Sequence, residues 1–271
     1  RDRYGTMTLK DVAAPAIRCA RNGFGTSYTG ALTMYDNSVE RKMRLSEAFR
    51  KLYLKEDGSF YRFGEIQKNQ EIADLLENIA EQGVDYFYKG KVAKQIVDLI
   101  NDRGGCFDVS DMESYEPKFR EPVKTTYRGY EVAAFAPPSG GCALVEMLNI
   151  LENYDVRSMG HNTAASIHAL TESMKLGFAD RSVALGDPDF VNVDVERLTS
   201  KKFAHERFTL AGEKAGEFAS ADGIEAKQYP GNTSHFVVMD KDGNAFSQTQ
   251  TIRDWFGCGI VVDGLGFVLN N

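Results

Sequence analysis

One threonine, Thr233, stands where the chain changes from a polar segment to strand-forming residues. The preceding Pro230-Gly231-Asn232 favours a turn, and a strand is predicted directly after it. A threonine hydroxyl is a weak nucleophile until a base removes its proton. If the peptide bond between Asn232 and Thr233 is cut, the new α-amine of Thr233, with a pKa of about 7.7–8.0, can serve as that base. On spacing alone, this pattern is more typical of an ordinary strand start than of a nucleophile.

Hydrophobic periodicity predicts the elements that surround this junction. Apolar residues at helical spacing predict helices over 9–22, 46–54, 69–82, 92–100, 142–153 and 164–184. Gly23 is expected to end the first helix, and Asn162 or Thr163 to cap the last. An aromatic run predicts one strand over 127–135, which ends at a Pro-Pro-Ser-Gly-Gly turn.

The chain becomes rich in strand-forming residues after a polar stretch. The composition of 211–228 predicts an exposed loop. The sequence Asp-Lys-Asp-Gly-Asn at 240–244 predicts a hairpin turn. Strands are predicted over 234–239, 245–252, 260–262 and 267–269. A mostly helical portion therefore precedes a β-rich portion, with Thr233 at the junction.

Short motifs along the whole chain resemble the γ-glutamyltranspeptidase family, in the family's order. From the junction onward they are Asn232-Thr-Ser-His-Phe, Asp240-Lys-Asp-Gly-Asn-Ala, Thr249-Gln-Thr-Ile, Phe256-Gly-Cys-Gly-Ile-Val-Val and Leu269-Asn-Asn. Before it they are Tyr4-Gly-Thr, Ala14-Pro-Ala-Ile, Tyr127-Arg-Gly-Tyr, Pro137-Pro-Ser-Gly-Gly, Gly160-His-Asn, Met174-Lys-Leu, Phe178-Ala-Asp-Arg and Gly186-Asp-Pro-Asp-Phe. Each motif is modest, but their order together is specific.

The resemblance implies a fold and a subunit organisation. The expected fold is α+β, a four-layer αββα sandwich of the N-terminal nucleophile hydrolase type with a helix-rich large-subunit portion. Autocatalytic cleavage between Asn232 and Thr233 is expected to divide one precursor into a large-subunit portion, 1–232, and the start of a small subunit, 233–271. The two stay associated as a heterodimer. The resemblance also implies a periplasmic, secreted or extracellular-facing location, and a cytoplasmic location stays open.

The resemblance further implies the chemistry of the site. Thr233 attacks a small γ-glutamyl amide such as glutathione and forms an acyl-enzyme, which reacts with water or with an amino-acid or peptide acceptor. Thr251 matches the family's second threonine, which hydrogen-bonds the nucleophile and orients it. No cofactor is implied. His235 lies on the same strand face as Thr233, and we expect a supporting structural role because the family mechanism uses the α-amine as base.

Two features depart from the family pattern. Arg253 stands where many members have an asparagine that touches the glutamyl head group. It either pairs with a substrate carboxylate through its bidentate fork or points outward and pairs with Asp254. The family's carboxylate-binding arginine, acidic residue, serine pair and oxyanion glycines have no match in 1–271. We therefore expect the chain to be incomplete and poorly active alone, since each missing oxyanion donor costs on the order of 10²–10³ in rate.

Composition argues against several other classes of protein. The net charge is −7 and no basic stripe stands out, which argues against a nucleic-acid partner. No apolar run is long enough to cross a bilayer. The four cysteines lack zinc-ligand spacing, and Asp187-Pro188-Asp189 is more typical of a turn than of a cation site. No metal site is expected.

Two other hypotheses stay open. Within the same fold, Arg253 is consistent with a related acylase or a poly-γ-glutamate-cleaving enzyme that uses another acyl group. In a different class, the chain is an inactive or non-catalytic fragment that folds without a working site. Assays on γ-glutamyl, glutaryl and poly-glutamate substrates distinguish the first of these hypotheses from a γ-glutamyltranspeptidase, and a longer reading frame argues against the inactive fragment.

Overall fold

The computed structural model describes residues 4–224 and 233–270 as a mixture of helices and short strands. In chain order the helices are α1 Leu9–Asn22, α2 Tyr28–Thr33, α3 Asn37–Leu45, α4 Glu47–Tyr53, α5 Gln70–Gln82, α6 Asp85–Tyr88, α7 Gly90–Asp102, α8 Val109–Glu113, α9 Gly141–Leu151, α10 Val156–Met159, α11 Ala164–Ala184, α12 Val195–Thr199 and α13 Lys201–Phe208. The strands are β1 Phe24–Gly25, β2 Ile66–Gln67, β3 Val123–Tyr127, β4 Tyr130–Ala134, β5 Ser234–Met239, β6 Ala245–Gln250, β7 Val261–Val262 and β8 Phe267–Val268. Within this described part, no helix combines the length and apolarity needed to span a membrane.

The helices begin and end where local hydrogen bonds allow. Thr8 caps α1 reciprocally, because its hydroxyl accepts the Asp11 N–H at 3.1 Å while the Asp11 carboxylate accepts the Thr8 N–H at 3.2 Å. Gly23 ends α1 with φ 106°, a conformation that suits glycine. Thr163 caps α11 by accepting the Ser166 N–H at 3.2 Å. The predicted bounds of α1 and α11 are confirmed.

The strand predicted over 127–135 is confirmed as β4, Tyr130–Ala134, but its predicted start is wrong. Tyr127 ends a separate strand, β3, and the two strands form a hairpin with Arg128-Gly129 as its turn between the paired residues Tyr127 and Tyr130. Arg128 has φ 50° and Gly129 has φ 88°, and a two-residue turn with two left-handed residues matches the twist of the flanking strands. The aromatic run concealed this turn because only one of its central residues is a usual turn former.

The strands of the described residues pair into four separate antiparallel sheets of two strands each. They are β1 with β2, β3 with β4, β5 with β6 and β7 with β8. The four strands predicted in the β-rich portion are confirmed, as is the mixed helical and strand content. The four-layer αββα sandwich is a larger arrangement than these sheets form, and it stays a prediction.

The chain divides into two compact units. One combines Arg1–Glu116 with Pro230–Asn271, and the other is Pro117–Tyr229. The predicted boundary between 232 and 233 is a point of chain cleavage, and the division into compact units does not test it. It therefore stays a prediction. The first unit therefore contains residues from both predicted subunits.

The core of the first unit surrounds the β7–β8 hairpin. Val261 of β7 packs into a cluster around Phe49 of α4. Its neighbour Val262 packs into a second cluster around Ile96 of α7. Because successive residues of a strand point to opposite faces, each face of the hairpin contributes to one cluster. Both clusters thus join residues from before and after Thr233.

The second unit contains a buried charged network. Arg207 of α13 pairs through Nε with Asp180 Oδ2 of α11 at 2.7 Å, and Glu146 of α9 lies beside them. All three side chains are buried. Burial first, and then the hydrogen bond and negative charge of Asp180, raise the pKa of Glu146 to about 10. Glu146 is therefore protonated at pH 7, and its carboxyl O–H can donate a hydrogen bond to the Asp180 carboxylate.

The segment predicted as an exposed loop over 211–228 is described up to residue 224. It is irregular and mostly exposed, as predicted, but Ser220 is buried. Three buried charged side chains bind its backbone: Arg207 Nη2 donates to the Ala219 carbonyl at 2.7 Å, Asp180 accepts the Ala221 N–H, and Glu172 accepts the Gly216 N–H at 2.9 Å. Charged groups of α11 and α13 thus anchor this segment.

Candidate active site

Thr233 lies at the open end of the β5–β6 hairpin, opposite Thr251. Within the hairpin, Ser234 pairs with Gln250. Extending this register by one position places Thr233 opposite Thr251, each just outside its strand. The antiparallel pairing that the Asp-Lys-Asp-Gly-Asn turn predicts therefore brings together two threonines that are 18 residues apart in the chain.

The two threonines are hydrogen-bonded. Thr233 Oγ1 donates to Thr251 Oγ1 over 3.1 Å. Thr251 Oγ1 also accepts the backbone N–H of Arg253 at 2.8 Å. Both distances lie in the ordinary range for protein hydrogen bonds. The bond from Arg253 fixes the Thr251 oxygen in the position where it accepts the hydroxyl of Thr233.

Of the other two site residues predicted from the sequence, Arg253 lies within the described residues and Asn232 does not. Arg253 occupies the left-handed region, with φ 71°, where asparagine is enriched and arginine is uncommon. Asp254, the alternative partner predicted for Arg253, accepts the ammonium of Lys42 at 2.9 Å. Asn232, the residue before the predicted cleavage point, lies outside the described residues.

His235 binds the neighbouring strand through both of its ring nitrogens. Its Nδ1 lies 2.8 Å from Thr249 Oγ1, and its Nε2 lies 3.3 Å from Ser247 Oγ. Thr249 is also the residue that faces His235 in the register. The imidazole therefore links β5 to β6 on the face that carries Thr233, an arrangement that fits a supporting role.

The segment that follows β6, which we call the 251–259 loop, contains four residues with left-handed backbone. They have φ between 51° and 77° and are Arg253, Phe256, Gly257 and Gly259. Phe256 is held by edge-on ring contacts to Phe49 and Tyr53, with centroid distances of 5.5 and 4.7 Å. Burial raises the pKa of the Tyr53 phenol to about 12. The left-handed backbone of Arg253 and Phe256 is unfavourable. Packing against the core of the first unit holds the loop in this conformation.

Sequence reasoning missed the residues that support this loop. Lys42 lies 212 positions before Asp254, and Phe49 is similarly distant from Phe256. Helical periodicity identifies the face of a helix that is buried, but it does not identify the loop against which that face packs. These contacts become visible only in the folded chain.

The described residues contain no group of three or more histidine, cysteine or acidic side chains that could hold a metal ion. Asp187 and Asp189 both pair with Arg120, at 3.3 and 3.0 Å, in the turn that the sequence predicts. The cysteines are unpaired thiols at Cys19, Cys106, Cys142 and Cys258.

The chain is similar to known proteins in both sequence and fold. Residues 1–271 match the family model for Gamma-glutamyltranspeptidase. The chain is 38% identical over 278 residues to the glutathione hydrolase proenzyme of Escherichia coli (strain K12). The matched region covers 100% of this chain and 47% of that protein. It is similar to the crystal structure of cephalosporin acylase from Bacillus halodurans, with a TM-score of 0.84 and 29% identity over 99% of this chain and 49% of that one. It is also similar to Helicobacter pylori gamma-glutamyltranspeptidase, with a TM-score of 0.72 and 33% identity over 83% of this chain and 63% of that one.

The chain spans about half the length of the curated relatives it matches. The family match nevertheless extends along all of it, through the helical portion and through the hairpin that carries Thr233 and Thr251. We conclude that the chain belongs to the gamma-glutamyltranspeptidase family.

Proposed function

We propose that the protein cleaves γ-glutamyl amides of the glutathione type and transfers the γ-glutamyl group to water or to an amino-acid or peptide acceptor. The observation that carries this proposal is the 3.1 Å hydrogen bond between Thr233 and Thr251, in a chain that matches the family along its whole length. Thr233 is the nucleophile, and Thr251 orients it. The name of the E. coli relative, glutathione hydrolase, supports the substrate class.

The protein first processes itself. The hydroxyl of Thr233 attacks the carbonyl carbon of Asn232, the C–N bond between the two residues breaks, and an ester forms while the α-amine of Thr233 is released. Water then hydrolyses the ester, which leaves a new carboxylate on Asn232. The word proenzyme in the name of the E. coli relative supports this step. The portions stay associated because both hydrophobic clusters of the first unit contain residues from each of them.

In the processed enzyme, the α-amine of Thr233 is the general base. It takes the hydroxyl proton as the oxygen attacks the γ-glutamyl carbonyl carbon, and it returns the proton to the departing amine. The resulting ester is the acyl-enzyme, which water or an acceptor amine then attacks. Thr251 holds the Thr233 hydroxyl in one orientation before attack, so less conformational freedom is lost on reaching the transition state.

The proposal extends to the architecture of the processed protein. The large-subunit portion comprises 1–232 and the small subunit begins with 233–271, and together they form a heterodimer. The complete protein has the four-layer αββα sandwich. Similarity to the cephalosporin acylase structure over 99% of the chain supports a shared architecture.

A second candidate function is hydrolysis of a different acyl amide, as in an acylase. Arg253 favours it, because a guanidinium can bind a terminal carboxylate with two parallel hydrogen bonds. A glutaryl group keeps the terminal carboxylate of a γ-glutamyl group and lacks its α-ammonium, which a guanidinium would repel. The similarity to a cephalosporin acylase supports the same candidate.

Intact-mass spectrometry of the protein expressed from its complete reading frame tests the mechanism. We expect two species for the wild type, one of which begins at Thr233, and one uncut species for Thr233→Ala. Thr233→Ser retains a hydroxyl and is expected to be cut, although more slowly. A folded wild type that remains one chain contradicts the mechanism and favours an inactive relative. Rates on γ-glutamyl-p-nitroanilide and glutaryl-p-nitroanilide then distinguish the two acyl specificities.

A further inference from the structure

Lys42, on α3, has a side chain that is only 9% exposed. Its ammonium donates to Asp254 Oδ2 at 2.9 Å and to the carbonyl of Trp255. Lysine is almost never fully buried unless it is paired, and both of these partners belong to the 251–259 loop. The burial of this charge is therefore offset by bonds to that loop.

The stem of Lys42 also packs against the loop. Gly259 has φ 77°, and a β-carbon at this position would lie 2.5 Å from the β-carbon of Lys42. Both the backbone conformation and the space therefore require glycine at 259. The methylenes of Lys42 therefore cover the end of the loop at Gly259, while its ammonium reaches Asp254 and Trp255 in the middle of the loop.

The bonds of Lys42 lie next to the backbone that supports Thr251. Asp254 accepts Lys42 on one carboxylate oxygen and the Trp255 N–H on the other, the latter at 2.8 Å. The residue before Asp254 is Arg253, which has a left-handed backbone and donates its N–H to Thr251 Oγ1. A left-handed arginine costs free energy and persists only where surrounding contacts hold it.

We propose that Lys42 is a positioning residue for Thr251. By fixing Asp254 and the Trp255 carbonyl, it keeps the Arg253 N–H on Thr251 Oγ1, and Thr251 stays in place to accept the hydroxyl of Thr233. This inference rests on the proposed function. After cleavage, Lys42 belongs to the large-subunit portion and the 251–259 loop to the small subunit. The large subunit thus supplies a cation that shapes the nucleophile's surroundings in the other chain.

The first test measures the loop itself, in the protein expressed from its complete reading frame. Hydrogen–deuterium exchange is followed in a peptide that covers 251–259, for the wild type, Lys42→Met and Lys94→Met. Lys94 is a matched control because it forms an exposed pair with Asp98 at 2.8 Å on α7. We expect exchange at least about tenfold faster in Lys42→Met, because the partners of the ammonium are left unpaired, and wild-type exchange in Lys94→Met. Unchanged exchange in Lys42→Met overturns the proposal.

The second test measures catalysis of γ-glutamyl-p-nitroanilide hydrolysis by the processed enzyme. An orientation defect lowers kcat by about tenfold or more while KM changes by less than about threefold, and Lys42→Arg recovers part of kcat because it restores the charge. A lower melting temperature with kcat equal to that of Lys94→Met shows a merely structural role and overturns the proposal. A wild type without γ-glutamyl activity contradicts the proposed function instead, and the exchange measurement still decides the role of Lys42.

Discussion

Val261 and Val262 are adjacent in β7 and pack into different hydrophobic clusters. They are 3% and 1% exposed, so the two faces of the β7–β8 hairpin are buried at the same time. The other fully buried members of both clusters, apart from Leu265, come from residues that precede Thr233. The hairpin is therefore a main hydrophobic contact between the two portions that cleavage would separate.

Truncation of Val262 tests this contact. We expect Val262→Ala to lower the free energy of unfolding by about 1.5–3 kcal/mol, because buried methyl groups are lost and a cavity remains. Urea unfolding measures the change. Val84→Ala, at a valine that is 57% exposed, is the control and should change stability by less than about 0.5 kcal/mol. Equal effects of the two substitutions contradict a shared core at the hairpin.

The hydroxyl of Thr251 is tested by shape-matched variants. Thr251→Val keeps the branched shape and removes the oxygen that accepts from Thr233 and from the Arg253 N–H. We expect both self-cleavage and γ-glutamyl hydrolysis to slow by about tenfold or more, which corresponds to the loss of one hydrogen bond of about 1.4 kcal/mol. Thr251→Ser keeps the oxygen and should stay within about threefold of the wild type. Rates are followed by mass spectrometry and by release of p-nitroaniline, and a fully active Thr251→Val contradicts the orienting role.

Arg253→Asn separates backbone conformation from substrate recognition. Asparagine adopts the left-handed region more readily than arginine, so at φ 71° the substitution should leave stability unchanged or slightly increased. Arg253→Val, with a β-branched residue in that region, should cost about 1–3 kcal/mol. Thermal melts measure these effects.

The same asparagine variant reports acyl specificity. The two substrates share the terminal carboxylate and differ only in the α-ammonium of the γ-glutamyl group. If Arg253 lies beside that ammonium, Arg253→Asn removes the repulsion of like charges and should raise the ratio of kcat/KM for γ-glutamyl-p-nitroanilide over glutaryl-p-nitroanilide by about tenfold. Loss of kcat/KM on both substrates at an unchanged ratio indicates binding of the shared carboxylate, and unchanged kcat/KM on both indicates that the guanidinium does not contact the acyl group.

Glu146 gives the second unit a defined pH dependence. Its pKa rises from 4.5 to about 10 on folding, so the folded state retains a proton that the unfolded state loses between these values. The stabilising effect of that proton is complete below pH 4.5 and is lost as the pH rises toward 10, by at most about 1.4 kcal/mol per pH unit. Glu146→Gln keeps a hydrogen-bond donor for Asp180 and removes the titration.

Urea unfolding at pH 6, 7, 8 and 9 measures this dependence. We expect the wild type to lose stability relative to Glu146→Gln with each step upward in pH. Glu206→Gln, at an exposed position of α13, should retain the wild-type pH dependence. Parallel curves for the wild type and Glu146→Gln show that Glu146 is ionised in the folded protein.

The sequence predicted those parts of the structure that local patterns control. Helical periodicity and caps defined α1 and α11 to the residue, and the Asp-Lys-Asp-Gly-Asn turn set the register that brings Thr233 opposite Thr251. The β3–β4 turn was missed because Arg128 is not a usual turn residue. Lys42 and the charged network around Asp180 were missed because their partners are distant in sequence, and no local pattern identifies a tertiary contact.

The anchored segment before the proposed cleavage point limits where the product of self-cleavage would go. Ile224 donates its N–H to Ser220 Oγ at 3.1 Å, and eight residues, 225–232, separate it from Thr233. An extended chain spans at most about 3.6 Å per residue, so a carboxylate formed on Asn232 stays within about 30 Å of Ile224. Confinement of this kind gives the new terminus an effective concentration in the millimolar range around Ile224. Any binding of this terminus to the surface of the second unit would therefore be insensitive to dilution and would be lost on proteolytic trimming of that tail.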